Sequence, residues 1–184
     1  MPNSCCLNLF AYGTLMDRDE LAFRLVLPPA EVDRRLRTKL AEASGFRRVF
    51  NKQVAEEGGA VLNLEFDKAG TVLGILYMDI THQELGMLDA SFPHHLPRKP
   101  LEVMVEGEKV AAQAYMAKAD LGVEAAVAYE QRLLALVQRL GEPIHANFIQ
   151  HTFRADGTPS YRPADPPAPA APAPAPPVSV PPGA

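Results

Sequence analysis

The sequence is poor in the residues and segments that disulfide-stabilised, zinc-binding and membrane proteins require. Its two cysteines, Cys5 and Cys6, are adjacent, and neighbouring residues rarely form an unstrained disulfide. No Cys/His spacing is typical of a zinc site, and no stretch reaches the roughly 18 apolar residues of a membrane span. The opening residues MPNSCC lack the basic and apolar regions of a signal peptide. We therefore expect a cytoplasmic protein with no metal and no membrane contact.

The sequence also lacks an excess of positive charge. It has 18 Lys and Arg against 22 Asp and Glu, which gives a formal net charge of -4. A general nucleic-acid binder needs a basic face to neutralise phosphates, so we expect no nucleic-acid partner. Two small basic clusters are interpreted as solvated surface: Arg34, Arg35, Arg37 and Lys39, and Arg47 with Arg48.

Proline is concentrated at the end of the chain, in PADPPAPAAPAPAPPVSVPPGA. Proline has no amide hydrogen and a fixed φ, so this composition suits neither a helix nor a sheet. We predict a disordered Pro/Ala-rich tail over 163–184 and a folded domain over 5–160. Hydrophobic residues make up 47% of the sequence, which is enough for a sizeable core.

The apolar patterning predicts helices that interrupt a series of strands. Asp17 and Thr81 are predicted helix N-caps, each with a glutamate three residues later, Glu20 and Glu84, to complete a capping box. Residues 31–43 fit a helix and a strand equally well. The other predictions are strands over Leu7–Tyr12, 45–51, 60–66 and 71–79, turns at Gly58-Gly59 and Lys68-Ala69-Gly70, a helix end at Pro28-Pro29, a hairpin of 99–105 with 110–118, and a helix over 123–140 that ends at Gly141 before Pro143. This order predicts an α+β fold, a curled mixed sheet or barrel with helices outside.

The first strand ends on a turn with a candidate binding function, Tyr12-Gly13-Thr14-Leu15. Glycine allows a sharp turn and a close approach to a ligand. Backbone amides at a turn beside a helix start can bind a carboxylate or an oxyanion. Taken alone, such a tripeptide is typical of an ordinary turn.

The wider context resembles the gamma-glutamylcyclotransferase family. The segments LFAYGTLM, GFRRVFNKQ, VLGILYMDIT, QELGMLDAS, PLEV and AQAYMA occur in the family's order, over roughly residues 7–150. The resemblance implies a small mixed β-barrel with flanking helices. It implies that Tyr12, Gly13, Thr14 and Leu15 form the substrate-binding loop, and that Tyr115 lines the pocket.

The resemblance also implies the chemistry. Enzymes of that family cyclise a γ-glutamyl group to 5-oxoproline and release an amine or amino acid. The substrate's α-amino group attacks its own γ-carbonyl, so the enzyme mainly fixes a conformation and supplies a base. No cofactor is needed, and the expected partner is a small γ-glutamyl compound or carboxylate.

The sequence departs from the family where the base is expected. The family has a glutamate after its Leu-Asp pair, whereas here Leu88-Asp89 is followed by Phe92 at the glutamate position and Pro93 at the next. Further on, Arg98 and Pro100 are kept, but Leu96 stands at a position that is usually aromatic. A phenyl ring cannot accept a proton, so the catalytic residue is unknown.

Three hypotheses follow. Another group, Asp89, Glu84, His94 or His95, takes over as the base, although Asp89 and Glu84 also suit capping or hydrogen bonding. Alternatively, the fold is a non-catalytic module that binds a small carboxylate or γ-glutamyl compound, or a scaffold with a closed pocket. The remaining histidines are interpreted as cap or surface residues: His82, His145 and His151.

Overall fold

The computed structural model describes residues 7–51, 61–92, 96–116, 127–154, 157 and 159–161. The strands are β1 (Leu7–Ala11), β2 (Arg37–Asn51), β3 (Val61–Ile80), β4 (Arg98–Val105), β5 (Glu108–Tyr115) and β6 (Thr152–Arg154). The helices are α1 (Arg18–Leu25), α2 (Pro29–Arg35), α3 (His82–Ser91), α4 (Val127–Leu140) and α5 (Ile144–Gln150).

Five of these strands close into a barrel. Their order is β3-β1-β5-β4-β2, and a further pairing of β2 with β3 completes the ring. The β1–β5 pair is parallel, and the other pairs within the ring are antiparallel. The short β6 joins β2 outside the ring in parallel. The predicted α+β fold, a small mixed β-barrel with flanking helices, is confirmed.

The longest strands, β2 and β3, contain the main correction to the predicted elements. A turn was predicted at Lys68-Ala69-Gly70, but β3 continues through it. Its pairing with β2 is nevertheless interrupted there, because Phe66 pairs with Phe46 and Thr71 with Ser44, so that residues 67–70 bulge opposite Gly45. A Cβ on Gly70 would lie 2.3 Å from the Phe46 carbonyl oxygen, so this glycine permits a close strand approach rather than a turn.

The region 31–43 contains both of the structures that its pattern allowed. Helix α2 ends at Arg35, Leu36 is its C-cap, and β2 starts at Arg37. Pro28-Pro29 does more than end the first helix, because Pro28 is the N-cap of α2 and Pro29 its first residue. Proline suits that position since the first helical amide has no intrahelical acceptor.

The helix ends confirm most of the predicted caps. Thr81 and Glu84 form a complete capping box, and Gly141 ends α4 with φ of 73°. Asp17 caps α1 through the Asp19 amide, but the predicted box with Glu20 is wrong. Glu20 instead accepts hydrogen bonds from two arginines, Arg24 and Arg132.

The predicted hairpin is confirmed as the pair of strands β4 and β5, whereas two later elements were missed. Strands β4 and β5 pair over their full lengths, with a turn at Glu106-Gly107. The prediction gave no element after Pro143, yet α5 starts at the next residue and β6 follows. The predicted turn at Gly58-Gly59 and the tail over 163–184 lie outside the described residues, as do 117–118 and 123–126 of the predicted strand and helix.

The core fills the barrel and the space between it and the helices. Leu9, Ala43, Leu76 and Ala114 are fully buried barrel residues, and Leu21 and Leu133 are buried on α1 and α4. No helix in the described part of the chain is both long and apolar enough to cross a membrane.

Candidate functional site

The Tyr12-Gly13-Thr14-Leu15 turn lies at the end of β1 and presents backbone amides. Thr14–Met16 form one turn of 3-10 helix, in which the Met16 amide donates to the Gly13 carbonyl at 2.9 Å. The first amides of a helical turn have no acceptor within it. Within the described residues, no backbone carbonyl accepts from the amides of Thr14 or Leu15. Amides of this kind, at the start of a helical turn, are the donors that favour an anion.

The backbone conformation at position 13 does not explain why the residue is glycine. Its φ is -131°, and a Cβ built there would meet only the Leu62 side chain, at 3.6 Å, which is ordinary van der Waals contact. The fold would therefore accept alanine at this position. Close approach of a ligand remains the sequence-based explanation for glycine here.

Two buried tyrosines anchor the turn to the barrel. The Tyr12 hydroxyl donates to the Tyr115 backbone carbonyl, which ties the end of β1 to the end of β5. The Tyr77 hydroxyl donates to the Leu15 carbonyl at 2.9 Å, and burial raises the pKa of Tyr77. The sequence analysis missed Tyr77, which lies in the quoted segment VLGILYMDIT.

Phe92 lies against the predicted pocket residue Tyr115. The two rings stack with centroids 4.2 Å apart. The Arg24 guanidinium covers the Phe92 ring at 4.4 Å and donates to the Ser91 carbonyl at 3.1 Å. The structure thus brings Tyr12, Tyr115 and Phe92 together, with an aromatic ring and an arginine where the resemblance expects a carboxylate.

Asp89 is near this stack, but its carboxylate is already held. It accepts from Arg98 at 2.9 and 3.0 Å and from the Tyr115 hydroxyl at 2.7 Å. The Arg98 hydrogen bond is the main reason that the pKa of Asp89 lies below its ordinary value. Burial and the hydrogen bond to Asp89 raise the pKa of Tyr115. A carboxylate held in this way is a weak base, and its role here is to orient Tyr115.

This arrangement predicts a pH-dependent stability loss for Asp89→Asn. The lowered pKa of Asp89 means that its contribution is present above the ordinary value of 3.8 and disappears as pH falls through the folded-state pKa. We expect a loss of about 1 kcal/mol at neutral pH, discounted for partial exposure, and a smaller loss at an acidic pH below the ordinary value of 3.8. Urea unfolding at both pH values measures it. Asp33→Asn, at an exposed ion pair, is the control, and an equal loss for Asp89→Asn at both pH values would contradict the assignment.

The other candidate bases are engaged in structure or fall outside the described residues. Glu84 completes the α3 capping box and pairs with Arg35 at 2.6 Å. His94 and His95 lie outside the described residues.

The other histidines occupy the cap and surface positions that were predicted for them. His82 is exposed at the start of α3, His145 lies 3.3 Å from Glu142, and His151 is the C-cap of α5. The pKa of His151 is lowered mainly by its burial and secondarily by the charge of Arg48.

A cavity of about 270 Å³ adjoins the turn, and its walls come from the turn and from α4. Its lining residues are Thr14, Asp17, Arg132, Ala135, Leu136 and Arg139. Arg132 pairs with Glu20 and Arg139 with Asp17, at 2.9 and 2.8 Å. The two arginines, seven residues apart, share one face of α4, and this spacing was the signal that sequence reasoning missed. The cavity therefore adjoins the turn at Thr14, and the positive charges on its α4 wall are paired with carboxylates.

Arg48 is the largest surprise near the turn. It was interpreted as solvated surface, but its exposed fraction is 0%, and its Nε donates to the Tyr12 carbonyl at 3.1 Å. In β2, alternate residues share a face, so Arg48 shares the inward face of Phe50. The interpretation of this basic cluster as surface is wrong for Arg48.

A family model supplies the decisive comparison. The model for gamma-glutamyl cyclotransferase, AIG2-like, matches residues 9–133, which include the turn, Phe92 and Tyr115. The chain belongs to this family. A comparison with curated proteins found no match. No group of side chains able to hold a metal ion occurs in the described part of this family member.

Solved structures share the fold of this cyclotransferase-family chain. A protein described as a gamma-glutamyl cyclotransferase superposes with a TM-score of 0.60 at 15% identity, over 77% of this chain and 84% of its own. A Homo sapiens protein described as uncharacterized gives 0.62 at 13%, with the same coverages. YkqA from Bacillus subtilis gives 0.58 at 21%, over 80% of this chain and 54% of its own. At these identities the likeness establishes the fold.

Proposed function

We propose that this chain binds small γ-glutamyl compounds at the Tyr12-Gly13-Thr14-Leu15 turn without the family's rate of cyclisation. The observation that carries the proposal is the Phe92 ring, stacked at 4.2 Å on Tyr115, whose backbone carbonyl accepts from the Tyr12 hydroxyl. Family membership supports the ligand class, and the side chain at position 92 argues against proton removal.

The turn and its cavity support binding. The amides of Thr14 and Leu15 suit the α-carboxylate of a γ-glutamyl group, because backbone N–H groups at a helix start favour anions. The cavity of about 270 Å³ beside Thr14 has room for a small ligand. Its two arginines are already paired with carboxylates, so its charge is balanced rather than strongly positive.

The engagement of Asp89 and Glu84, the two candidate carboxylate bases among the described residues, favours a low rate of cyclisation. Cyclisation needs a base to take a proton from the α-ammonium group before the amine can attack the γ-carbonyl. Asp89 is held by Arg98 and Tyr115, and Glu84 is held by the α3 cap and Arg35. Asp89 is therefore a poor base, and the Glu84 carboxylate is already engaged in the cap and the ion pair.

The second candidate function is an active cyclotransferase that uses a different base. Family membership and the retained turn favour this candidate. It differs from the first only in turnover, so a direct assay separates the two.

The test uses the full chain with γ-glutamyl amino acids and γ-glutamyl amines. Calorimetry measures binding, and chromatography measures 5-oxoproline. Binding without product supports the first candidate, rapid product formation supports the second, and neither binding nor product overturns both.

A substitution at Thr14 tests the turn itself. Thr14 is the first residue of the helical turn, where proline is tolerated and removes only an amide that has no intrahelical acceptor. We expect Thr14→Pro to weaken ligand binding about tenfold or more, the effect of losing a charge-assisted hydrogen bond. Thr14→Val keeps the amide and is the matched control. Equal affinity of the two variants would show that the amide does not bind the ligand.

A further inference from the structure

Arg48 is a buried cation with no anionic partner among the described residues. Its exposed fraction is 0%, and within the described residues no carboxylate lies within ion-pair distance of it. Burial lowers the pKa of the Arg48 guanidinium to about 9, which is still above neutral. The side chain therefore carries its charge inside the protein under physiological conditions.

The hydrogen-bond partners of Arg48 in the described part of the chain are all neutral. Its Nε donates to the Tyr12 carbonyl at 3.1 Å, one terminal nitrogen donates to Asn147 Oδ1 at 2.9 Å, and the other donates to the Leu73 carbonyl. The guanidinium also lies 5.0 Å from the centre of the Phe148 ring. These contacts satisfy its geometry but leave its charge uncompensated.

A buried, unpaired guanidinium is not expected to stabilise the fold. Removing a guanidinium from water is costly, and neutral hydrogen bonds and one aromatic face recover only part of that cost. An apolar side chain of similar volume commonly serves as well or better at a buried site. The position of the charge, behind the turn, indicates a role at the turn.

The hydrogen bond to Tyr12 fixes the direction of the Gly13 amide. The Tyr12–Gly13 peptide is trans, so its carbonyl and its N–H point in opposite directions. Arg48 holds the carbonyl, and the Gly13 N–H therefore points away from Arg48. A cation on the carbonyl also polarises the peptide, which makes that N–H a stronger donor.

We propose that Arg48 is a positioning residue that orients the Tyr12–Gly13 peptide and supplies the positive charge by which the turn selects ligands with a carboxylate. The inference rests on the proposed function, since it specifies which group of the γ-glutamyl compound the turn recognises. An anion bound at the turn is the missing counter-charge for Arg48, and a neutral ligand of the same shape cannot provide it.

The selectivity for a carboxylate is the property to measure. The probes are γ-L-glutamyl methylamide and its α-carboxamide, which differ only in the charge of one group. We expect the wild type to bind the carboxylate at least about tenfold more tightly, because a buried charge is weakly screened. In Arg48→Met this ratio should fall towards one, and in Arg48→Lys, which keeps the charge, it should recover in part.

A second variant neutralises Arg48 without removing it. Asn147 Oδ1 accepts from Arg48, so Asn147→Asp places a carboxylate of the same shape beside the guanidinium. It does so with loss of the hydrogen bond that Asn147 Nδ2 donates to the Thr71 carbonyl. We expect this variant also to lose the preference for the carboxylate. Arg47→Met is the control, because Arg47 is the neighbouring arginine, is partly exposed and pairs with Glu65. It should keep the wild-type ratio.

The outcomes separate the inference from the proposed function. Thermal unfolding first establishes which variants are folded, and Asn147→Asp decides the matter where Arg48→Met does not fold. A folded variant that keeps the wild-type preference overturns the role of Arg48 and leaves the proposed function standing. Wild-type protein that binds neither probe overturns the proposed function and the inference with it.

Discussion

Phe92→Glu should increase the rate of 5-oxoproline formation about 100-fold or more over the wild type, the usual contribution of a positioned general base. The Phe92 ring stacks on Tyr115, which is hydrogen-bonded to Tyr12 of the turn, so we expect a glutamate at this position to reach a substrate held by the turn. Steady-state measurement of 5-oxoproline from a γ-glutamyl amine tests the gain. Phe92→Gln is the control, because it has the same shape and cannot accept a proton.

Arg24 should change the pH dependence of the rate in Phe92→Glu. Its guanidinium lies 4.4 Å from the centre of the Phe92 ring, so it would pair with the new carboxylate and lower its pKa. The acid limb of the pH–rate profile should therefore lie at low pH in Phe92→Glu and shift upward when Arg24→Met is added. Phe92→Glu protein that binds substrate but turns it over no faster than Phe92→Gln would show that position 92 is not the site of the base.

The barrel was predictable from the sequence because its strands and caps have strong local signals. The capping box at Thr81 and the hairpin around Gly107 rest on residues close in sequence, and the structure confirms both. The predicted turn at Lys68-Ala69-Gly70 is instead a bulge within the continuous strand β3, and its cause is not local. Gly70 is needed because the Phe46 carbonyl on another strand approaches it too closely for a Cβ. A tertiary contact of this kind overrides local turn preference.

The candidate site was predictable only where it is continuous in sequence. The turn, Phe92 and Tyr115 stand in recognisable segments, and the structure brings them together, although their roles in binding stay predictions. The cavity wall on α4 comes from contacts between residues more than 100 positions apart, such as Arg132 with Glu20. Helix α5 was missed because seven residues are too few to show a helical period. Asn147, the partner of Arg48, lies in that helix and was missed for the same reason.

Gly74→Ala should have the largest effect on stability, a loss of about 3 kcal/mol or more in the free energy of unfolding. The added methyl group would overpack two paired strands that cannot move apart to make room for it. A Cβ at Gly74 would lie 2.2 Å from the Ala11 carbonyl oxygen and 2.8 Å from the Phe10 ring. The first of these is backbone and cannot rotate away. Urea unfolding measures the loss.

Gly86→Ala is the matched control and should change stability in the opposite direction. Gly86 is exposed within α3, and a Cβ there meets nothing within 4 Å, so alanine should stabilise by about 0.5–1 kcal/mol through helix propensity. Because Ala11 leads directly into Tyr12 and Gly13, Gly74→Ala protein that remains folded should also bind γ-glutamyl ligands more weakly. Unchanged stability in Gly74→Ala would mean that β1 and β3 can separate at this point, and the turn would then lack the rigid support on which anion binding depends.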